Sequence, residues 1–201
     1  MILGSGAKIF LIYFTLFSGS IKGEEGELYP SYNNTIMVLD FPYDRSNTNT
    51  FASTTFIAEE EMEDLTVCFA FMVNALKSAK KDEMQLLQLQ NSDGETVVEI
   101  IFTVQPSLET FYETSFSFYR SENSTYFDQP PFALMTWMQS CFSLGNTTIT
   151  SALNGVELDE QVVDLDGDIV RKGNLTLNLG KNLTGAITEV NMFSPALSVE
   201  N

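Results

Sequence analysis

Leu65-Thr66-Val67-Cys68-Phe69-Ala70-Phe71 is the stretch on which the fold turns. It is short and nearly all apolar, and its residues suit a pleated, buried surface. It reads as a central strand. It also holds one of the two cysteines of the 201-residue chain, the other being Cys141. If the two bridge, this strand is tied covalently to a second one and the intervening chain must fold between them.

The meaning of the cysteines depends on the compartment, and the first residues address that. Met1 to Lys8 carries one positive charge and precedes the apolar run Ile9-Phe10-Leu11-Ile12-Tyr13-Phe14-Thr15-Leu16-Phe17. The small residues Ser18-Gly19-Ser20 follow, and Gly23 stands just before the acidic residues begin. Residues 1–23 are read as a secretory signal peptide, cut near Ser20 or Gly23. The run is too short to span a bilayer, and no other run in the chain is long and apolar enough to do so. In an oxidising compartment, two cysteines most simply form one disulfide, here Cys68 with Cys141. Free thiols or a bridge to another chain are the alternatives. Closing so long a loop stabilises the fold by about 4 kcal/mol on the chain-entropy account.

Export is supported by five N-x-[ST] sequons, at Asn33, Asn123, Asn146, Asn174 and Asn182. The formal charge is −17, and removing the leader takes away Lys8 and Lys22 but no acid. Such a chain repels nucleic acid and anionic lipid, so neither is expected as a partner. The expected location is secreted or extracellular.

After a polar lead-in at 24–35, the chain reads as a succession of short strands within one domain, 36–201. Ile36 to Phe41 is the first, stopped by Pro42, and Phe51 to Ile57 is the second. Glu59 to Asp64 is an acidic loop. Residues 72–89 read as strand, basic loop (Lys77, Lys80, Lys81) and strand, although Leu76, Ala79, Glu83 and Leu87 would also share one helical face. Asn91-Ser92-Asp93-Gly94 is a turn. Val98, Ile100, Phe102 and Val104 alternate with mostly polar neighbours, which is the period of a half-buried strand ended by Pro106. Phe111 to Tyr119 alternates again, and Glu122 to Asp128 reads as a polar loop. Phe132 to Phe142 holds Trp137 and Cys141. Ile149, Ser151 and Leu153 make a strand closed by the hairpin signal Asn154-Gly155. Val162-Val163 is read as the start of a short strand. Leu175, Leu177 and Leu179 alternate with polar residues, Gly180 to Gly185 is a turn, and Ala186 to Phe193 is the last strand before Pro195. The pattern predicts an all-β fold, an antiparallel sandwich or barrel.

Several of these segments together resemble the pentraxin family. Leu65 to Phe71 resembles the strand carrying that family's first disulfide cysteine, and Leu39-Asp40-Phe41-Pro42 resembles the segment near its start. Asn154-Gly155 resembles the hairpin after the second cysteine. Gly185-Ala186-Ile187-Thr188-Glu189-Val190-Asn191-Met192-Phe193, followed by Leu197-Ser198, resembles the late signature that laminin-G modules share more loosely. The resemblance spans residues 36–198 and implies an antiparallel two-sheet jelly-roll sandwich of pentraxin/laminin-G type, the concanavalin A-like lectin fold. It implies the Cys68–Cys141 bridge, an extracellular glycan or protein ligand, and assembly into a homo-oligomer.

The departures are as informative. The motif around the family's second cysteine reads Gln139-Ser140-Cys141-Phe142-Ser143-Leu144, without its histidine and with Leu144 at the tryptophan position. The long calcium-binding loop before the late signature is replaced by Lys181-Asn182-Leu183-Thr184. Asp93 matches an acidic ligand on another loop, but one carboxylate cannot supply the six to eight oxygens that calcium takes. No metal and no cofactor is therefore expected. The family's closing strand is also missing, which predicts a trimmed variant or the front piece of a longer chain.

Other chemistries fit less well. Counted from Asp164, the run Asp164-Leu165-Asp166-Gly167-Asp168 puts Ile169 and Leu175 where a calcium loop of the EF-hand type needs glycine and glutamate, so it reads as an acidic turn. Glu157, Asp159 and Glu160 are placed on a rim rather than across a cleft. The chain has no histidine, which excludes Ser-His-Asp and Cys-His catalysis and histidine-ligated zinc. Trp137 and the phenylalanines are assigned to the core rather than to a sugar-stacking platform, and the lysine cluster to a solvated loop. No catalytic residue is assigned. The function expected from the resemblance is a recognition module working without calcium. The alternative is an adhesion or assembly ectodomain at the front of a longer membrane receptor or channel.

Overall fold

The computed structural model describes residues 38–41, 51–78, 81–106, 112–120, 123–129, 133–145, 147–162 and 169–193. Their regular structure is all strand. In chain order the strands are β1 (Val38–Phe41), β2 (Ala52–Ala58), β3 (Leu65–Val73), β4 (Asp82–Gln90), β5 (Thr96–Pro106) and β6 (Tyr112–Arg120), then β7 (Asn123–Gln129), β8 (Met138–Leu144), β9 (Thr148–Leu153), β10 (Val156–Val162), β11 (Gly173–Lys181) and β12 (Gly185–Phe193). They form two six-stranded antiparallel sheets, β1-β12-β3-β8-β9-β10 and β2-β11-β4-β5-β6-β7. This is the expected jelly-roll sandwich. No helix among the described residues is long and apolar enough to cross a membrane.

The core between the sheets follows from alternation. Leu65, Val67, Phe69, Phe71 and Val73 of β3 face inward, as do Val98, Ile100, Phe102 and Val104 of β5. Phenylalanines from the two sheets meet in the middle. Phe71 lies 5.1 Å from Phe102 and Phe142 lies 5.1 Å from Phe116, both edge to face. Such pairs add about 0.5–1.5 kcal/mol each to the burial of their surface. The near-continuous apolar character of β3 has a further cause. Its outward-facing Thr66 and Ala70 are also buried, at 2% and 9% exposure.

Cys68 and Cys141 are bonded and are cross-strand register partners of β3 and β8. The bridge therefore ties neighbouring strands of one sheet, and its sulfurs stand on the face away from the core.

Four expectations change. The polar stretch 122–128 is not a loop: Asn123–Gln129 forms β7, an edge strand paired with β6 and joined to it by two residues. Thr125, Tyr126 and Phe127 suit a strand, and Phe127 is fully buried opposite Phe116, so packing outweighs the polar ends. Trp137 is not core: it precedes β8 and is 42% exposed. Val162 ends β10 rather than beginning a strand, because the Asn154-Gly155 hairpin carries the chain directly into Val156–Val162. Glu157 and Glu160 consequently belong to an edge strand. Lastly, the turn between Gly180 and Gly185 does not close a hairpin. It carries the chain from β11 in one sheet to β12 in the other. The helical alternative across residues 76–87 does not arise, since β3 runs to Val73 and β4 begins at Asp82.

Candidate functional site

Each sheet has one face on the core and one facing away. On the second sheet the outward face is built by alternation on β11, β4 and β5. On β11, Leu175, Leu177 and Leu179 point inward, leaving Asn174, Thr176 and Asn178 outward. On β4, Leu87 and Leu89 point inward and Gln88 and Gln90 outward. An irregularity between Gln85 and Leu87 also sends Gln85 outward, opposite Ile101. On β5, Glu99, Ile101 and Thr103 are the outward set.

The register brings these polar side chains together. Asn178 pairs with Gln88, and Gln88 with Glu99. Asn178 Nδ2 donates to Gln88 Oε1 at 3.2 Å and to Gln90 Oε1 at 3.0 Å. Gln88 Nε2 donates to Thr96 Oγ1 at 3.2 Å and to Glu99 Oε1 at 3.4 Å. Gln85 Nε2 donates to the same Glu99 oxygen, and Gln90 Nε2 to the carbonyl of Gly94. The result is a connected chain of amides ending on one carboxylate.

Beside that chain part of the face is buried. Gln85, Thr103 and Ser117 point away from the core yet are only 8%, 8% and 3% exposed. Partial burial raises the pKa of Glu99. The bond from Gln85 and the charge of Lys181, whose register partner is Gln85, pull it the other way. A polar network of this kind holds its side chains in fixed positions, which is the precondition for recognising hydrogen-bonding groups.

Apart from Asn174, the residues singled out from sequence lie elsewhere. The disulfide is on the outer face of the first sheet, both cysteines half-buried. Asn174 is exposed on the outward face of β11. Asn182 is half-buried at the end of the same strand, with φ 65° in the connection to β12. Asn123 opens β7. Asn33, Asn146 and the acidic run 164–168 lie outside the described residues, as does Lys80. Lys77 is exposed, its backbone N–H bonded to Asp82, and Lys81 pairs with Glu83, so this loop is tied to its own carboxylates. Asp93 sits in the β4–β5 turn with its N–H on Asn91 Oδ1 at 3.0 Å. That turn follows Gln90, which pairs with Thr176, whereas Lys181 pairs with Gln85 near the start of β4. Asp93 is thus at the opposite end of β4 from the shortened connection and cannot complete a site there. Among the described residues no group of three or more His, Cys, Asp or Glu side chains is placed to hold a metal.

The amide chain was not singled out from sequence. Its signal is the alternation Leu86-Leu87-Gln88-Leu89-Gln90 beside Asn174-Leu175-Thr176-Leu177-Asn178. Each reads as an ordinary strand with one wet face. Only the pairing of β4 with β11 turns them into one surface.

No protein-family model matches the chain, and no curated protein matches it. Solved structures do. The crystal structure of native heptameric SAP-like pentraxin from Limulus polyphemus matches with a TM-score of 0.59 and 13% identity, over 81% of this chain and 77% of that one. Domain 4 of AbnA, a GH43 extracellular arabinanase from Geobacillus stearothermophilus, in complex with arabinotriose, matches with a TM-score of 0.53 and 15% identity, over 89% and 81%. The alginate lyase PA1167 from Pseudomonas aeruginosa matches with a TM-score of 0.50 and 12% identity, over 85% and 86%. At these identities the likeness establishes the fold that this chain has in common with a pentraxin and with other jelly-roll sandwiches.

Proposed function

We propose that this chain is an extracellular recognition module, a divergent relative of pentraxin and laminin-G domains, which binds a glycan or protein ligand without calcium through the outward face of its second sheet. The observation that carries this reading is the connected network Asn178–Gln88–Glu99–Gln85 on a face turned away from the core. Such a network adds little to the packing of the sandwich, and it fixes amide and carboxylate groups where a ligand can meet them. The leader at residues 1–23, the five sequons and the bridged cysteines support an extracellular setting. The shortened connection Lys181–Thr184, which holds no carboxylate, supports independence from calcium.

We read the activity as binding without turnover. Glycoside hydrolysis requires two carboxylates at a set separation, and the network contains one, Glu99. Because an alginate lyase and one domain of an arabinanase share this sandwich, the reading is checked by incubating the secreted protein with alginate and with arabinan and measuring new reducing ends. None are expected.

Binding is tested by immobilising the protein secreted from insect cells and probing it with a glycan array and a set of extracellular matrix proteins, with and without EDTA. Binding that persists in EDTA and is lost in the Gln88→Ala, Glu99→Ala double variant is the expected result. Binding that requires calcium, or that the double variant retains in full, overturns the proposal.

A further inference from the structure

The network on the second sheet has a direction and a chemical bias. The register places Ser53 on β2 opposite Asn178 on β11, Asn178 opposite Gln88 on β4, Gln88 opposite Glu99 on β5, Glu99 opposite Tyr119 on β6, and Tyr119 opposite Ser124 on β7. One straight line across the sheet therefore crosses all six strands at a hydrogen-bonding residue type each time. Strands stand about 4.8 Å apart, so the line is roughly 24 Å long. That step is close to the advance per residue of an extended sugar chain.

The bias lies in which groups the internal bonds consume. Asn178 and Gln88 each use both amide hydrogens within the network, while Gln85 and Gln90 each use one. Glu99 Oε2, Gln85 Oε1 and Asn178 Oδ1 take no part in those bonds. Along the line itself, at Asn178, Gln88 and Glu99, the capacity left is for accepting hydrogen bonds, so the complementary ligand donates them there. Hydroxyl groups donate; sulfate and carboxylate groups only accept, and would meet Glu99 in a chain of net charge −17. Lys181, close enough to bear on the Glu99 charge, opposes a cationic ligand at the same place. A protein partner would want an apolar or aromatic anchor at the centre of its interface. The centre here is Gln88 and Glu99.

We propose that the outward face of the second sheet binds an extended, neutral, hydroxyl-rich glycan lying across the strands along the Ser53–Asn178–Gln88–Glu99 line. This rests on the reading of that face as the recognition surface, and it adds the class and orientation of the ligand. A chain strung over successive strands gains contacts with each added sugar, so affinity should climb with length. Asn174 lies on the same face, roughly 13 Å along β11 from Asn178, so an N-glycan there would flank the line.

The test is calorimetry on the secreted, enzymatically deglycosylated protein. The probes are cellohexaose, mannohexaose, xylohexaose and α-1,5-arabinohexaose, with the corresponding disaccharides, and with alginate and chitosan hexamers as anionic and cationic comparators. At least one neutral hexamer is expected to bind saturably and at least tenfold more tightly than its dimer. Gln88→Ala and Asn178→Ala should each weaken it at least tenfold. Val162→Ser, at an 85% exposed position of β10 in the other sheet, should not change it. Unchanged melting temperatures would show that the variants remain folded. If only the charged hexamers bind and Gln88→Ala abolishes that binding, the face is the recognition surface but the neutral class is wrong. If a neutral hexamer binds equally well to Gln88→Ala and Asn178→Ala, the site is wrong. If no oligosaccharide binds, the glycan proposal fails, and the matrix-protein arm of the preceding experiment decides whether the face recognises anything.

Discussion

The ring of Phe41 lies flat against Gly180. A methyl group added to that glycine would fall 2.2 Å from Cζ of Phe41. Phe41 belongs to β1 in the first sheet and Gly180 to β11 in the second, so this contact joins the two sheets. Gly180 also has φ 75°, a conformation that costs a side-chain-bearing residue extra. Gly180→Ala should destabilise the fold by about 2–4 kcal/mol, from overpacking and backbone strain together. Phe41→Ala should cost about 3–5 kcal/mol. The double variant should cost clearly less than the sum, because Phe41→Ala removes the clash. Urea unfolding of the four proteins checks this, and strict additivity would refute the contact.

The disulfide closes a loop with a sequence separation of 73 residues. On the loop-entropy account, removing it costs about 4 kcal/mol. The paired variant Cys68→Ala, Cys141→Ala should unfold at a much lower denaturant concentration. Non-reducing peptide mapping of the secreted protein should recover a single linked peptide pair. Two thiols open to alkylation in freshly secreted material would contradict the bridge.

Glu99 is held above the ordinary glutamate pKa, mainly by desolvation. The sign follows from linkage. A carboxyl whose pKa is higher folded than unfolded favours the folded state most when protonated, and that contribution is lost as pH rises through the folded value. Glu99→Gln removes the loss. The variant should be more stable than wild type at neutral pH, and the gap should shrink as pH falls below the unfolded glutamate value of about 4.3. Glu99 is only partly buried, so solvent screening keeps the effect small. Melting temperatures across pH 4 to 8 measure it, and a gap that widens toward acid pH would reverse the assignment.

Asn174 and Asn182 are both expected to carry N-glycans when the chain is secreted from insect or mammalian cells. Asn174 points to solvent from β11, while Asn182 stands in the short connection at the far end of that strand. They are not two sides of one hairpin, so occupancy of one should be independent of the other. Mass spectrometry of the secreted protein, with Asn174→Gln and Asn182→Gln as controls, reads both sites. Finding both sites bare would oppose the expectation.

Calcium should leave the protein unchanged. The connection Lys181–Thr184 supplies a lysine and no carboxylate, and Asp93 is at the other end of β4. Diffuse attraction to the net negative charge is screened at physiological salt and builds no site. Isothermal titration with calcium, followed by phosphocholine, should give no saturable heat. A one- or two-site isotherm at micromolar to low-millimolar affinity would sink this prediction.

Much of the scaffold was legible in the sequence, and the register of the first sheet explains which part. The segments that resemble pentraxins, around Leu39–Phe41, Leu65–Phe71, Cys141, Asn154-Gly155 and Gly185–Phe193, all lie in β1, β12, β3, β8 and the β9–β10 turn. These are neighbours in one sheet. The chain between them supplies most of the second sheet, and there the resemblance fades. Edge and rim residues were the least legible. Phe127 is buried by β6 although its neighbours are polar, and Trp137 is exposed because it precedes β8 rather than lying within it. Period-two alternation describes residues inside a strand. It says nothing of whether a polar stretch will find a partner or where a strand begins.

The sequence by itself determined the all-β class, most strand positions, the Asn91–Gly94 and Asn154-Gly155 turns, and the single pairing open to its two cysteines. These depend on properties a chain carries locally: side-chain periodicity, turn-forming residues, and a count of thiols. Tertiary structure alone decided that Asn178, Gln88 and Glu99 stand side by side. Alternation tells which residues share a face within one strand. Which strands become neighbours, and in what register, is settled by how the apolar faces of remote segments pack, and here that packing lays β4 between β11 and β5.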